Sequence, residues 1–134
     1  MELTEKQRLI FKSGTPWEEN YHYARAVRIG QHVWISGTVA SDKGDLVGQG
    51  DPYKQAKFAY SKIESALTSV GATMSDVVRT RVYVLDSRHI DKVARAHAET
   101  FKGITPVNTT VVVSGFAEEG YLVEIEVEAY ILPA

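Results

Sequence analysis

The sequence predicts an α/β domain in which two helices cover one face of a mixed sheet, and three observations carry that expectation. Two segments repeat apolar residues at helical spacing, each opened by a side chain able to cap it. Other segments are rich in β-branched residues and bounded by turn formers. The two kinds follow one another as strand, helix, strand, helix, strand, strand, which builds two packed layers around one core. A chain of 134 residues with 44% hydrophobic side chains hides roughly two-thirds of its extended surface on folding. Residues 1–134 therefore read as one domain.

Leu9-Ile10-Phe11 is a short strand candidate, interrupted by Gly14-Thr15-Pro16 ahead of the aromatic-rich run from Trp17 to Tyr23. After Gly30, where the backbone turns or approaches a ligand, residues 32–39 read as a strand with a largely apolar middle. Asp51 and Pro52 write a helix start: the carboxylate caps free backbone donors, and proline lacks a donor the first position leaves unused. Ala56, Tyr60, Ile63, Leu67 and Val70 then form one apolar stripe, with Gly71 as the stop. Residues 77–85 alternate, Val78, Thr80, Val82 and Val84 on one side and Val77, Arg79, Arg81 and Tyr83 on the other. A second helix starts after Asp86 or Ser87 and runs to Phe101, with Ile90, Val93, Ala94, His97 and Phe101 near one face. Residues 107–113 and 121–132 close the chain as strands joined by a Ser-Gly connection with two acids. In the last strand Val123, Ile125, Val127 and Ala129 face the helices, so Glu124, Glu126 and Glu128 share the other side. That side is either solvated or a subunit interface with paired charges.

Composition narrows the chemistry. Fifteen Lys and Arg against seventeen Asp and Glu give a net charge of -2, a weak start for nucleic-acid binding, which needs a concentrated positive field. The absence of cysteine removes disulfides, thiolate catalysis and Cys-based metal centres. His22, His32, His89 and His97 have no metal-ligand spacing, and Gly48-Gln49-Gly50 lacks the third glycine of a dinucleotide fingerprint. No cofactor or metal is expected. Residues 1–12 hold no apolar leader core and no segment is long enough to span a bilayer, so a soluble cytoplasmic protein is the expectation.

Glu124 is the first candidate for chemistry, because a desolvated carboxylate in a cleft handles protons or orients water. A salt-bridged strand face explains it with less machinery, and explains Glu126 and Glu128 better still. Gly37 can offer a backbone N–H to an oxyanion and Ser36 a hydroxyl to a ligand, against a plain turn. Ser36 has no motif-defined His and Asp partners, and Thr110 on a strand reads first as packing. Tyr21, His22, Tyr23 and Arg25 suit stacking on a small planar ligand and drawing an anion, or form an aromatic loop over the sheet edge. Arg79 and Arg81 either hold a carboxylate or pair with the glutamate face.

Several fragments, in their order and spacing, resemble the RidA family, also called YjgF/YER057c/UK114, over nearly the whole chain. They are Tyr23-Ala24-Arg25-Ala26-Val27, Val33-Trp34-Ile35-Ser36-Gly37-Thr38, the Asp51-Pro52 helix start, residues 78–84, Thr105-Pro106-Val107-Asn108 and Val123-Glu124-Ile125-Glu126. The resemblance implies a chorismate-mutase-like subunit assembled as a homotrimer around a barrel-like centre, with a ligand cleft between neighbours. It implies hydrolysis of 2-imino acids or their enamine tautomers to 2-oxo acids and ammonia. It carries Tyr23, Ser36, Gly37 and Glu124 onto ligand-contacting positions, with Glu124 placing water. Asn108 stands where relatives have the arginine that grips the substrate carboxylate, Thr110 where many have cysteine, and Ala94 where several have asparagine. An arginine offers a permanent charge and a planar fork, Asn one neutral amide of shorter reach, a difference of about a few kcal/mol. Arg25, where common relatives carry glutamine, is a substitute able to enter the cleft from another direction.

The first functional expectation is a divergent hydrolase or deaminase acting on a small imine, enamine or related compound. Glu124 orients water and Gly37 polarises the acceptor, while Tyr23, Arg25, Ser36, Asn108 and Thr110 bind. The alternative is a noncatalytic trimer that binds a small metabolite or a protein, and an RNA-related activity ranks third.

Overall fold

The last strand of the chain lies in the middle of its sheet. The structure, a computed structural model, describes residues 7–134; residues 1–6, part of the stretch read above for a leader, fall outside that range. The elements are β1 (Arg8–Phe11), α1 (Pro16–Tyr21), β2 (Ala26–Ile29), β3 (His32–Thr38), β4 (Ser41–Asp42), β5 (Asp45–Leu46), α2 (Pro52–Ser69), β6 (Val77–Val84), α3 (Ile90–Phe101), β7 (Val107–Val112) and β8 (Val123–Tyr130). Six strands make one mixed sheet in the order β1-β2-β3-β8-β6-β7, and β4 pairs with β5 as a small separate hairpin. All neighbours in the large sheet are antiparallel except β6 and β7, which α3 connects in sequence as a parallel pair requires.

The long helix forms as its sequence dictates. Asp51 accepts from the backbone N–H of Lys54 at 3.0 Å and Pro52 occupies the first turn. Gly71 ends the helix with φ +84°, while the N–H of Ala72 returns to Leu67 O at 2.9 Å. Ala56, Tyr60, Ile63, Leu67 and Val70 are all buried, against the faces of β3, β8 and α3. Val123, Ile125, Val127 and Ala129 meet them from below. Truncating Ile63 or Leu67 to alanine should cost about 2–5 kcal/mol.

The start of the chain keeps the strand expected at Leu9-Ile10-Phe11, as β1, and adds β2 and α1, which were not expected. β1 and β2 extend the sheet by two strands, and β2 joins β3 through Gly30-Gln31, with Ile29 opposite His32. Gly30 takes φ +59°, the positive value that tight hairpins favour. The aromatic run holds α1, capped by the Thr15 hydroxyl, which accepts from the N–H of Glu18 at 3.2 Å.

Two side-chain assignments also change. The register between β6 and β8 shifts between Val77 and Arg79, and this bulge turns Val77 into the core while Val78 is 46% exposed. On α3 the buried positions are Val93, Ala96 and Phe101, with His97 half-buried, whereas Ile90 and Ala94 are exposed. The Asp86 cap opens a single tight turn over Ser87–His89, accepting from the N–H of Arg88 at 2.8 Å, and α3 proper begins only at Ile90. That extra turn rotates Ile90 out of the interface.

Candidate functional site

The three glutamates of β8 share one face and meet three fates. Glu128 is paired with Arg81 at 3.3 Å and with Arg79 at 3.9 Å. Glu126 accepts a short hydrogen bond from the Tyr83 hydroxyl. Those two arginines therefore sit on the glutamate face in paired charges. The Glu124 carboxylate has no hydrogen bond or ion pair with any described residue and lines a cavity of about 180 Å³. Burial pushes its carboxyl above the ordinary carboxylate range, the nearby Arg25 charge opposes that rise, and Glu126 adds to it.

The cavity lies where β3 changes register. Ile35 pairs with Val127 and Thr38 with Ile125, so Ser36 and Gly37 bulge between them. A Cβ built on Gly37 would stand 2.8 Å from Glu124 Oε2 and 3.0 Å from its Cδ. Glycine is what lets that carboxylate lie against the backbone.

Arg25 enters the same space. Its Nη1 donates to Gly37 O at 2.8 Å and to Thr38 Oγ1 at 3.3 Å. Its Nε lies 3.1 Å from Glu18 Oε2, an ion pair without hydrogen-bond alignment, and its guanidinium carbon sits 5.7 Å from the Tyr23 ring centre. Glu18 is only 1% exposed. Burial alone would raise its pKa, but hydrogen bonds from the Ser13 hydroxyl at 2.5 Å and the Ser13 N–H at 2.8 Å, with Thr15 and Arg25, hold it below the usual value. The wall is completed by Trp17, Lys62 and the loop carrying Phe116, Ala117, Glu118 and Tyr121.

Of the residues singled out from the sequence, Tyr23, Arg25, Gly37 and Glu124 come together here. Ser36 turns away and its hydroxyl donates to Ala24 O at 2.6 Å, beside a shallower groove on the open sheet face with Trp34 and Glu126. Asn108 and Thr110 are elsewhere. Asn108 pairs with Thr80 across β6 and β7, and Tyr83 pairs with Glu124 across β6 and β8. Thr80 and Tyr83 are an odd number apart on one regular strand, so Asn108 and Glu124 project from opposite faces of the sheet.

Asn108 belongs to a different network. Its Nδ2 donates to Thr80 Oγ1 at 2.9 Å, its Oδ1 accepts from the Thr110 hydroxyl at 3.1 Å, and Thr80 Oγ1 lies 2.7 Å from His97 Nε2. Burial holds the His97 pKa down, and the tautomer of the ring sets which of His97 and Thr80 donates in their hydrogen bond. Thr80 itself is fully buried.

Sequence reasoning missed Glu18 and Lys62. For Glu18 a signal was present, since Thr15-Pro16-Trp17-Glu18 fits a capping pattern that would have revealed α1. For Lys62, on the flank of α2, periodicity says only that it lies off the apolar stripe. Among the described residues no three His, Asp or Glu side chains converge as metal ligands, and no helix is long and apolar enough to cross a membrane.

A family profile described as Endoribonuclease L-PSP matches residues 8–131. A crystal structure of a YjgF/YER057c/UK114 family member from Mycobacterium tuberculosis superposes with a TM-score of 0.86 at 41% identity, covering 93% of this chain and 100% of that one. The chain belongs to the RidA (YjgF/YER057c/UK114) family. An uncharacterized protein of Streptomyces coelicolor is 47% identical over 120 residues, 89% of each chain. A RutC family protein of Pyrococcus abyssi is 30% identical over 110 residues, 81% of this chain and 85% of that one. The mixed sheet with its two long helices is thus the RidA-type fold.

Proposed function

We propose that this RidA-family chain hydrolyses a small imine or enamine, with Glu124 as the group that orients and deprotonates water. Family membership supports a hydrolase or deaminase role in general. The observation that carries the finer reading is the Glu124 carboxylate, half-buried, unpaired among the described residues, and seated against Gly37 in a cavity. Ionised, it accepts a proton from water as the oxygen attacks the electrophilic carbon. Glu124 passes that proton to the imine nitrogen, and as the tetrahedral intermediate collapses its hydroxyl gives up the second water proton, by way of the same carboxylate, to the amine, which leaves as ammonia while a carbonyl compound remains. The backbone at the Gly37 bulge faces the developing charge, and Tyr23 with Arg25 supplies a flat cationic wall.

The assembly in this reading is a homotrimer whose clefts lie between neighbours. Asn108 and Thr110 stand on the opposite sheet face from Glu124, so a site holding all of them needs a second copy to bring its β7 across. The open sheet face supports such an approach, with Ile10, Trp34, Val107 and Val111 between 40% and 56% exposed. A cavity of about 180 Å³ lies below the roughly 300 Å³ at which small-molecule sites usually begin, as half of a shared cleft would.

The test is hydrolysis of freshly generated 2-imino acids by native protein and by Glu124→Gln. Native acceleration lost in E124Q with assembly retained is the expected result; no acceleration across small and bulky imines would sink the reading. Arg25→Ala is a poor probe, because it leaves the buried Glu18 carboxylate unpaired, a loss of about 3–5 kcal/mol. The alternative of a noncatalytic metabolite binder rests on Asn108, whose amide is already engaged with Thr80.

A further inference from the structure

The cavity that Glu124 lines also holds a cation that neither the sequence reading nor the mechanism uses. Lys62 comes from α2 and lines this cavity as well as a smaller one shared with Phe11, Thr38 and Ala66. Of the three protons on its ammonium, one goes to Val39 O at 3.3 Å, and no carboxylate of the described residues lies within ion-pairing reach. Burial pushes its pKa down, the Arg25 charge pushes it further, and Glu18 and Asp42 counter in part. The buried Glu18 carboxylate, which lines the same cavity, is already engaged by the Ser13 N–H and hydroxyl and by Arg25. Two cations thus line the cavity, and of its three carboxylates Glu18 is committed to Ser13 and Arg25, Glu118 accepts from Trp17, and Glu124 lies beyond ion-pairing reach of Lys62.

A partly desolvated cation without a counter-ion is costly, and an anionic ligand relieves that cost when it binds. We propose that Lys62, beside Arg25, is the anion-recognising residue of this cavity and restricts its substrates to small carboxylates. The inference rests on the cavity being the substrate site, as proposed above. It places the carboxylate clamp on α2 and the Arg25 wall, away from Asn108. Lys62 is a point charge on a flexible stem, so it leaves Val39 O and reaches the ligand without disturbing the sheet.

Calorimetric titration with pyruvate and with its neutral amide, pyruvamide, tests this directly. Native protein should prefer pyruvate, and Lys62→Met should lose about tenfold to a hundredfold in pyruvate affinity while binding pyruvamide as before. Lys62→Arg, which keeps the charge, should keep most of the preference. Circular dichroism and native mass establish that K62M is folded and assembled. Undiminished pyruvate binding by K62M overturns the proposal, as does a native protein that binds both ligands equally or neither. Imine hydrolysis is scored separately with E124Q, so the Lys62 assignment falls without the hydrolase reading if K62M alone is silent. A native protein that prefers pyruvate through Lys62 yet hydrolyses no imine removes the hydrolase reading and leaves the anion site standing.

Discussion

At the scale of single residues, the contact between Gly37 and Glu124 gives the sharpest expectations. Gly37 does not use the left-handed region, so its backbone tolerates a side chain, and the conflict is the 2.8 Å approach of a new Cβ to Glu124 Oε2. Gly37→Ala should therefore displace the carboxylate and lower kcat/KM by about a hundredfold, with a nearly unchanged melting temperature; steady-state kinetics and thermal unfolding of one preparation check both halves. Glu124 must be ionised to take a proton from water, and burial raises its pKa. The acid limb of kcat/KM should accordingly lie above the ordinary glutamate value of about 4.3, with activity rising as pH rises through it. E124Q should lose that limb and about 10² to 10⁴ in kcat, read from pH-rate profiles.

Among elements, two buried polar groups tie the framework together. Gln55 on α2 is fully buried; its Nε2 donates to Gly48 O at 3.1 Å and Gly120 O at 3.0 Å, and its Oε1 accepts from the N–H of Leu122 at 2.8 Å. One side chain thereby anchors the loop after β5 and the loop that completes the cavity. Gln55→Ala strands all three partners, and chemical denaturation should show a loss of about 3 kcal/mol. The second group is His97, between α3 and β6. Its folded pKa is depressed by burial, against about 6.5 in the unfolded chain. The unfolded state binds more protons in that window, so this contribution is complete above about pH 6.5 and is lost as pH falls toward the folded value. His97→Leu should flatten that part of the stability profile, measured by urea unfolding at a series of pH values.

On the scale of the whole molecule, the placement of the glutamate face against Asn108 makes assembly the deciding property. Sedimentation or native mass spectrometry should find three times the chain mass. A stable lone subunit would leave Asn108 and Thr110 with no route to the Glu124 cavity. Burying the open face would also cover the paired charges of Glu128 with Arg79 and Arg81, which are partly exposed in the single chain and stand to gain from losing solvent screening only if they stay paired.

Periodicity along the chain determined the layered fold and the two long helices, because alternation at two residues and recurrence at three or four are local properties of backbone geometry. It placed Val123, Ile125, Val127 and Ala129 against Ile63 and Leu67, and the order of short motifs pointed to the family. It misplaced Val78, Ile90 and Ala94, because a bulge or one extra turn rotates a side chain without altering the pattern around it. Only tertiary structure decided that Glu128 and Glu126 are engaged while Glu124 is not, that Arg25 turns inward onto Glu18, and that Lys62 reaches the same cavity. Those outcomes depend on which charges meet across distant segments, and desolvation and Coulomb energies follow distance in space, not separation along the chain.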